Sequence, residues 1–433
     1  MQVGGAGLAG AALLGTAACG GGGGGPERAE DGSLVFTFAM GRDDTRTLPK
    51  LVDRFNRQFK GEYKANYRVM PQDTGQYFAQ LRTEFQGQGE IDLIGGDVIW
   101  PAQFAANGWI ADLSERFPQS ERDKFLPGPI ESNVYDGAIY GVPWFTDAGL
   151  LYYRRDLLED AGISEPPQTW EELKEIAQQI QEEAGVEQGF VFQASNYEGG
   201  TVNGLEYIYS HGGQVLNPDD ASQVTIDSPE SVAGLETERS MVADGVSPQA
   251  VVNYTETESQ GVFLNGESVF LRGWPYMYSL VGSEDFPRLD PEQVDIAPLP
   301  AGEGGQSSPG LGGWNFYISA LADEETQGAA YEFIKFATDP EQQRFRALDG
   351  SFLPTLQDLY QDQEIIDNVP VIRLAGEQAL EATEPRPVSP VYSDMSLEMS
   401  EQFQAAVAGD TPPQEAIGTL QGSLQDIADQ APS

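Results

Sequence analysis

Residues 33–97 set the tightest limit on the fold, because strand-like and helix-like periodicities alternate there with little chain between them. "SLVFTFAM" (33–40) is an apolar, β-rich run. "LPKLVDRFNRQF" follows, with Leu48, Leu51, Val52, Phe55 and Phe59 on one helical face. A second strand, "YKANYRVMP", a helix around "GQYFAQLRTEF" and a third strand, "IDLIGGD", complete the series. Strand, helix and strand joined by short connections imply an α/β fold with a largely parallel sheet and helices on both faces. Ligands of such sheets bind at the carboxyl ends of the strands. Here those ends carry the loops "GRDD", "PQDT" and "GGDVIW".

A chain of 433 residues exceeds one ordinary domain, and a second unit does follow. "GVPWFTDAGLLYYR" reads as a strand and "TWEELKEIAQQIQEEAG" as a helix. Thr169 and Glu172 form a capping box, Trp170, Leu173, Ile176, Ala177 and Ile180 make the buried stripe, and Gly185 ends it. "GFVFQAS", "SVFLRGWPYMYSL" and "VDIAPLPAG" add strands. From residue 310, "GLGGWNFYIS" returns to a strand, and "ETQGAAYEFIKFATD" is a helix. The tail from about residue 355 is mainly helical, interrupted by "EATEPRPVSPVYSDMS".

Composition removes several functions. Acidic residues number 68 against 24 basic ones, a formal charge of −44, and no Lys/Arg cluster exists to replace counterions along phosphate. Nucleic acid is therefore not a partner, and docking on anionic lipid through a basic patch is excluded on the same ground. Such a surface suits either a salt-adapted source or simply an acidic exported protein. The single cysteine, Cys19, permits no internal disulfide and no thiolate metal cluster, and the single histidine, His211, permits no two-histidine metal site. In "YSHGGQ" the histidine reads as a turn residue with a structural role. No metal and no cofactor is implied.

"LAGAALLGTAACGGGGGGPE" resembles a bacterial lipoprotein signal, which is cleaved before a cysteine that then carries the lipid. On that resemblance residues 1–19 are the signal with Cys19 as the lipidation site, and 20–32 are a flexible tether. The apolar run is too short to span a bilayer. Thr16 stands where a Leu is usual, and the first eighteen residues hold no Lys or Arg.

Six stretches occur in an order and spacing that resemble the extracellular solute-binding proteins of ABC sugar importers, in particular trehalose/maltose binders. They are "GGDVIWPAQFAANGWIADLS", "GVPWFTDAGLLYYRRDLLEDAGI", "PPQTWEEL", "LRGWPYMYSL", "GLGGWNFYIS" and "PRPVSPVYSDMS". The resemblance implies a two-lobe periplasmic-binding-protein type II fold. Its N-lobe would hold residues 33–146 and 298–337, its C-lobe residues 147–297 and 338–433, and the ligand would lie between them. It implies a monomeric receptor, lipid-anchored at the extracytoplasmic face of the membrane, that delivers a neutral disaccharide to permease subunits. Matched motif by motif, the ligand-binding residues would be Asp44, Asp97, Phe145, Asp147, Trp274, Gly313, Trp314 and Arg386. Asp43, Asp73, Trp144 and Tyr276 lie beside these and join the candidates. Relatives have Tyr where Phe145 stands, and a sugar-contacting Arg of the second-strand loop is replaced by Tyr77.

The chemistry agrees with that implication. Ionised carboxylates accept hydrogen bonds from neighbouring hydroxyls, Arg386 supplies donors in a fixed fork, and flat indoles cover the C–H faces of a sugar. Gly312 and Gly313 leave room for close backbone approach. Competing roles exist: Asp43 or Asp44 could cap the first helix, Asp97 could cap the next, and Trp144 and Trp109 have apolar neighbours. Exposed carboxylates beside an Arg are expected to remain ionised. Paired carboxylates also suit a glycosidase, and acidity suits a polyamine receptor, although Arg386 would repel a cation.

Overall fold

The structure is a computed structural model that describes residues 26–431, except 88 and 219. The expected signal peptide, Cys19 and glycines 20–25 lie outside the described residues. Residues 27–32, expected as tether, turn back onto the first strand. The Val35 amide donates to the Glu27 carbonyl, Gly32 takes a φ of 89°, and Arg28 pairs with Glu325.

β1 (Leu34–Gly41), α1 (Thr47–Gln58), β2 (Tyr63–Met70), α2 (Thr74–Gln86) and β3 (Leu93–Asp97) follow the order read from the sequence. β1 runs parallel to both β2 and β3. Leu48, Leu51, Val52 and Phe55 bury the stripe of α1, and Phe59 packs partly against the same core.

The stretch read as one strand is two, β4 (Val142–Ala148) and β5 (Leu150–Arg154), broken at Gly149. β4 joins the first sheet and β5 enters a second one. A Cβ on Gly149 would stand 2.2 Å from Glu206 Oε1 and 2.9 Å from Arg272 Nη2, so the break is packed on a buried ion pair. Then come α3 (Trp170–Ala184), with the expected capping box and a left-handed Gly185, β6 (Gln188–Val191), α4 (Glu198–Ser210) and α5 (Pro229–Ala243). β7 (Ser268–Gly273) and β8 (Val294–Pro298) complete a four-stranded sheet ordered β8-β5-β7-β6.

The chain returns as β9 (Leu311–Ile318), which enters between β3 and β4, antiparallel to both. α6 (Glu324–Ala337), α7 (Pro340–Gly350) and a short β10 (Leu353–Pro354) follow. β10 pairs with the open edge of β4, giving a six-stranded sheet ordered β10-β4-β9-β3-β1-β2. One direction is shared by β1, β2, β3 and β4 in the first sheet and by β6, β7 and β8 in the second. The fold is thus two lobes of mixed, mostly parallel sheet flanked by helices. The segment 338–433, expected in the second lobe, begins in the first: α7 rests on α1, and β10 extends the first sheet. The remainder packs α8 (Tyr392–Ala408) and α9 (Pro413–Ala428) on α4 and α5. Among the described residues no helix is long and apolar enough to cross a membrane.

Candidate functional site

Topology decides where the chemistry gathers. β9 runs against its neighbours, so its amino end meets the carboxyl ends of β3 and β4. Trp314 lies opposite Asp97 and Phe145, Gly313 opposite Thr146, and Gly312 opposite Asp147. Trp144 is one residue too many in β4, between the pairs Pro143–Asn315 and Phe145–Trp314, and forms a bulge of the kind that re-aims side chains beside a site. Facing this edge are Trp274 and Tyr276 after β7, Glu198 at the start of α4, and Arg386 from the loop before α8. Together they line a cleft enclosing about 1020 Å³, its open mouth included.

Two indoles form its walls. Trp314 is half-buried, with one face on Tyr77 (centroids 6.2 Å apart, planes 16° apart) and an edge contact to Trp100. Trp274 donates from Nε1 to Glu256 at 3.3 Å, and the Arg272 guanidinium lies 3.9 Å from its ring. Arg272 is itself held by Glu206 in a two-pronged pair at 2.8 and 2.6 Å. The glycines have definite tasks. A Cβ on Gly312 would stand 2.8 Å from the Trp274 ring, and Gly313 has φ 122° with its Cβ position 2.5 Å from the Phe145 carbonyl. Tyr276 packs on Phe352, which also meets Phe145 edge-on at 4.7 Å.

The charges are arranged in two groups. Arg386 bridges the lobes, donating to Glu198 at 2.6 Å, to Asp97 at 3.0 Å and to the Leu311 carbonyl at 3.3 Å. Burial works against its charge, but Asp97 and Glu198 outweigh that and hold its pKa above the ordinary value. Glu198 also accepts from Tyr392 and Ser396, and burial raises its pKa. The second group is Asp147 and Arg346. Asp147 is 5% exposed, its Oδ1 has no hydrogen-bond partner among the described residues, and burial pushes its carboxyl well above the usual carboxylate range. The expectation of exposed carboxylates therefore fails at Asp97 and Asp147, which are both buried, and burial raises the pKa of Asp147 as well.

Asp44 accepts from Arg42 and Gln72 and keeps partial exposure at the mouth. Asp43 lines the cleft, but both its oxygens are engaged. They accept from the Thr45 amide and hydroxyl, the Thr47 hydroxyl and the Leu48 amide, so Asp43 caps α1. Asp97 accepts from the Ile99 amide at 3.3 Å and from Arg386; Ile99 lies before the next helix (Pro101–Ala106), so Asp97 closes a turn there and does not cap that helix. Trp144 is buried against Phe316 and touches the cleft. Asp73 is the one candidate outside the lining: its carboxylate caps α2 through the Gln76 amide. Tyr77 is not a loop residue. It lies within α2, fully buried, and donates to the Ala39 and Gly95 carbonyls, which makes it the support of Trp314. His211 has the structural role expected, with partners for both ring nitrogens in the Tyr207 carbonyl and the Thr237 hydroxyl.

Sequence reasoning missed Arg42, Gln72, Glu198, Glu256, Arg346 and Phe352, all of which line the cleft. Arg42 and Gln72 lie in loops already singled out, and Glu198 follows β6 at a strand's carboxyl end, so position could have found them. Arg346 lies inside a helix and Phe352 just before β10, where no local pattern marks them.

A family model described as "Bacterial extracellular solute-binding protein" matches residues 41–344. A probable ABC transporter-binding protein of Deinococcus radiodurans is 33% identical over 347 residues, which are 78% of this chain and 80% of that one. A maltotriose-binding protein of Pyrococcus abyssi is 27% identical over 70% of this chain and 62% of its own. Among solved structures, maltose-bound MalE3 of T. maritima superposes with a TM-score of 0.85 at 35% identity, covering 90% of this chain and 99% of its own. With its two sheets, its chain crossings and its cleft at the strand ends, this chain belongs to the family of bacterial extracellular solute-binding proteins.

Proposed function

We propose that this protein is the sugar receptor of an ABC importer and that its cleft closes on a neutral disaccharide. The observation that carries the reading is the pairing of two indole walls, Trp274 and Trp314, with buried polar atoms lacking partners in the protein. Each indole covers one sugar ring, and the carboxylates and guanidinium groups between them suit hydroxyls, which both donate and accept. On this reading the ligand-binding residues are Asp44, Asp97, Phe145, Asp147, Trp274, Gly313, Trp314 and Arg386, joined by Tyr276, Glu198 and Glu256. The maltose in the T. maritima neighbour supports an α-linked glucose disaccharide, and the maltotriose in the name of the Pyrococcus relative supports α-linked glucose without fixing its length; trehalose or maltose is the sugar we propose.

Titration calorimetry with trehalose, maltose, sucrose, glucose, maltotriose and spermidine tests this. A disaccharide binds tightest, glucose binds weakly because it reaches one indole only, and spermidine does not bind. Tight spermidine binding with no response to sugar would refute the proposal. Turnover of the sugar would restore the hydrolase reading, against which the solute-binding family and fold already weigh. We further propose that Cys19 is lipidated and tethers the receptor outside the membrane; loss of detergent-phase partitioning in Cys19→Ala is the outcome expected.

A further inference from the structure

We infer that Arg346, on α7, is a ligand-contacting residue of the cleft, donating from Nη1 to a hydroxyl that in turn donates to Asp147. The inference rests on the sugar reading above and adds to it a residue and the hydroxyl it selects.

Arg346 is 3% exposed yet forms no ion pair among the described residues. A buried guanidinium ordinarily satisfies its N–H groups within the protein. Here Nε reaches only the Thr47 hydroxyl, at 3.3 Å, and Nη1 has no partner. Two carboxylates influence it, those of Asp43 and Asp147. Both oxygens of Asp43 are occupied in capping α1, so it is not available. Asp147 has an oxygen to offer but does not bond to Arg346, and both side chains border the cleft. The cost of leaving two opposite charges buried and unjoined shows in the titration of both. Burial draws Arg346 down to about 10 and raises Asp147.

Packing fixes the guanidinium in place. It lies 4.0 Å from the Trp144 ring, 3.8 Å from Phe352 and 4.8 Å from Phe145. A plane held by three aromatic rings is a donor already oriented, with little freedom left to lose on binding. The indole of Trp144 adds a second donor, since its Nε1 also lacks a partner. A group placed between donors on one side and a carboxylate on the other must both accept and donate. An ammonium cannot accept, and a carboxylate cannot donate. A hydroxyl does both.

The test is a calorimetric cycle on the whole protein, with maltose and its monodeoxy analogues titrated into wild type, Arg346→Gln and Arg346→Lys. Trehalose and its deoxy series serve if the wild type prefers that sugar. Arg346→Gln weakens the parent sugar roughly 10- to 100-fold, the range of a hydrogen bond to a charged group. Arg346→Lys, which keeps charge but loses the fork, falls between. One deoxy analogue, already weak for wild type, binds Arg346→Gln no worse than wild type, because the contact is missing in both. The melting temperature without sugar does not fall in step with affinity. The inference is overturned if both variants bind the parent sugar as wild type does. It is equally overturned if every analogue loses the same factor in variant and wild type, since a purely structural arginine would do that. Wild type binding no sugar at all would remove the sugar reading and this inference together.

Discussion

On the proposed reading, Asp147 is a single residue that trades stability for function. Its carboxyl is buried without a partner for Oδ1, and burial favours the protonated form in the folded state. The folded protein then holds a proton that the unfolded chain releases near pH 3.9, so stability falls as pH rises above that value and stops falling only when the folded pKa is passed, the loss then being complete. Asp147→Asn cannot ionise. It should match wild type below pH 4 and gain on it toward pH 7, by about 1–3 kcal/mol in unfolding free energy, while losing sugar affinity. Thermal denaturation of both proteins from pH 3.5 to 7.5 checks this, and equal melting temperatures at neutral pH would contradict it. Trp314 makes the complementary case. Its ring borders the cleft but also rests on Tyr77, so it is neither pure ligand platform nor pure core. Trp314→Ala should weaken sugar about 5- to 150-fold, from a stacking contribution of about 1–3 kcal/mol, and also lower the melting temperature. A fall in stability with affinity intact would make it a core residue. The sequence disclosed the glycines before Trp314 but not Tyr77 beneath it, because a buried tyrosine on a helix has no local signature.

Elements were legible wherever a segment buries one face and illegible wherever a distant contact decides. The stripe of α1 and the capping box of α3 depend on residues three or four apart, and both formed as read. The run 142–154 is mostly apolar and buried throughout, and periodicity alone could not divide it between two sheets. What divides it is Gly149 against the Arg272–Glu206 pair, two residues more than fifty positions away in sequence. Arg272 and Glu206 are 1% and 2% exposed and bonded to each other, so neither can swing aside for a methyl group. Gly149→Ala should therefore destabilise by about 1–3 kcal/mol, the usual cost of overpacking. Because Arg272 also lies on Trp274, sugar affinity should fall with it. Chemical denaturation and calorimetry together decide the matter: an alanine accommodated at no cost would mean that the crossing is looser than its packing indicates. Arg346 escaped sequence reading for the same reason, since its role depends on the meeting of α7 with the bulge in β4.

At the scale of the molecule, two features bear on how the lobes move. One is the charge of −44, which opposes compactness through self-repulsion and which salt screens. The other is a set of direct ties between lobes. Arg386 grips Asp97 at the end of β3 and Glu198 at the start of α4, while Arg46, just before α1, pairs with Asp285, between β7 and β8, at 2.7 Å. The exposed Arg46–Asp285 pair contributes little. The buried Arg386 ties join the two lobes in this structure. On the proposed reading, a sugar contacting both Trp314 and Trp274 stabilises only the closed arrangement, and its differential affinity sets how far the population shifts. Small-angle scattering should show the radius of gyration falling when maltose or trehalose is added to the wild type. Glu198→Gln removes one charge of the Arg386 tie, so its radius without sugar should be larger and its contraction with sugar greater. Tight binding by the wild type with no contraction would exclude closure as the mechanism. A Glu198→Gln protein as compact as wild type in the absence of sugar would show instead that contacts other than Arg386 hold the lobes together.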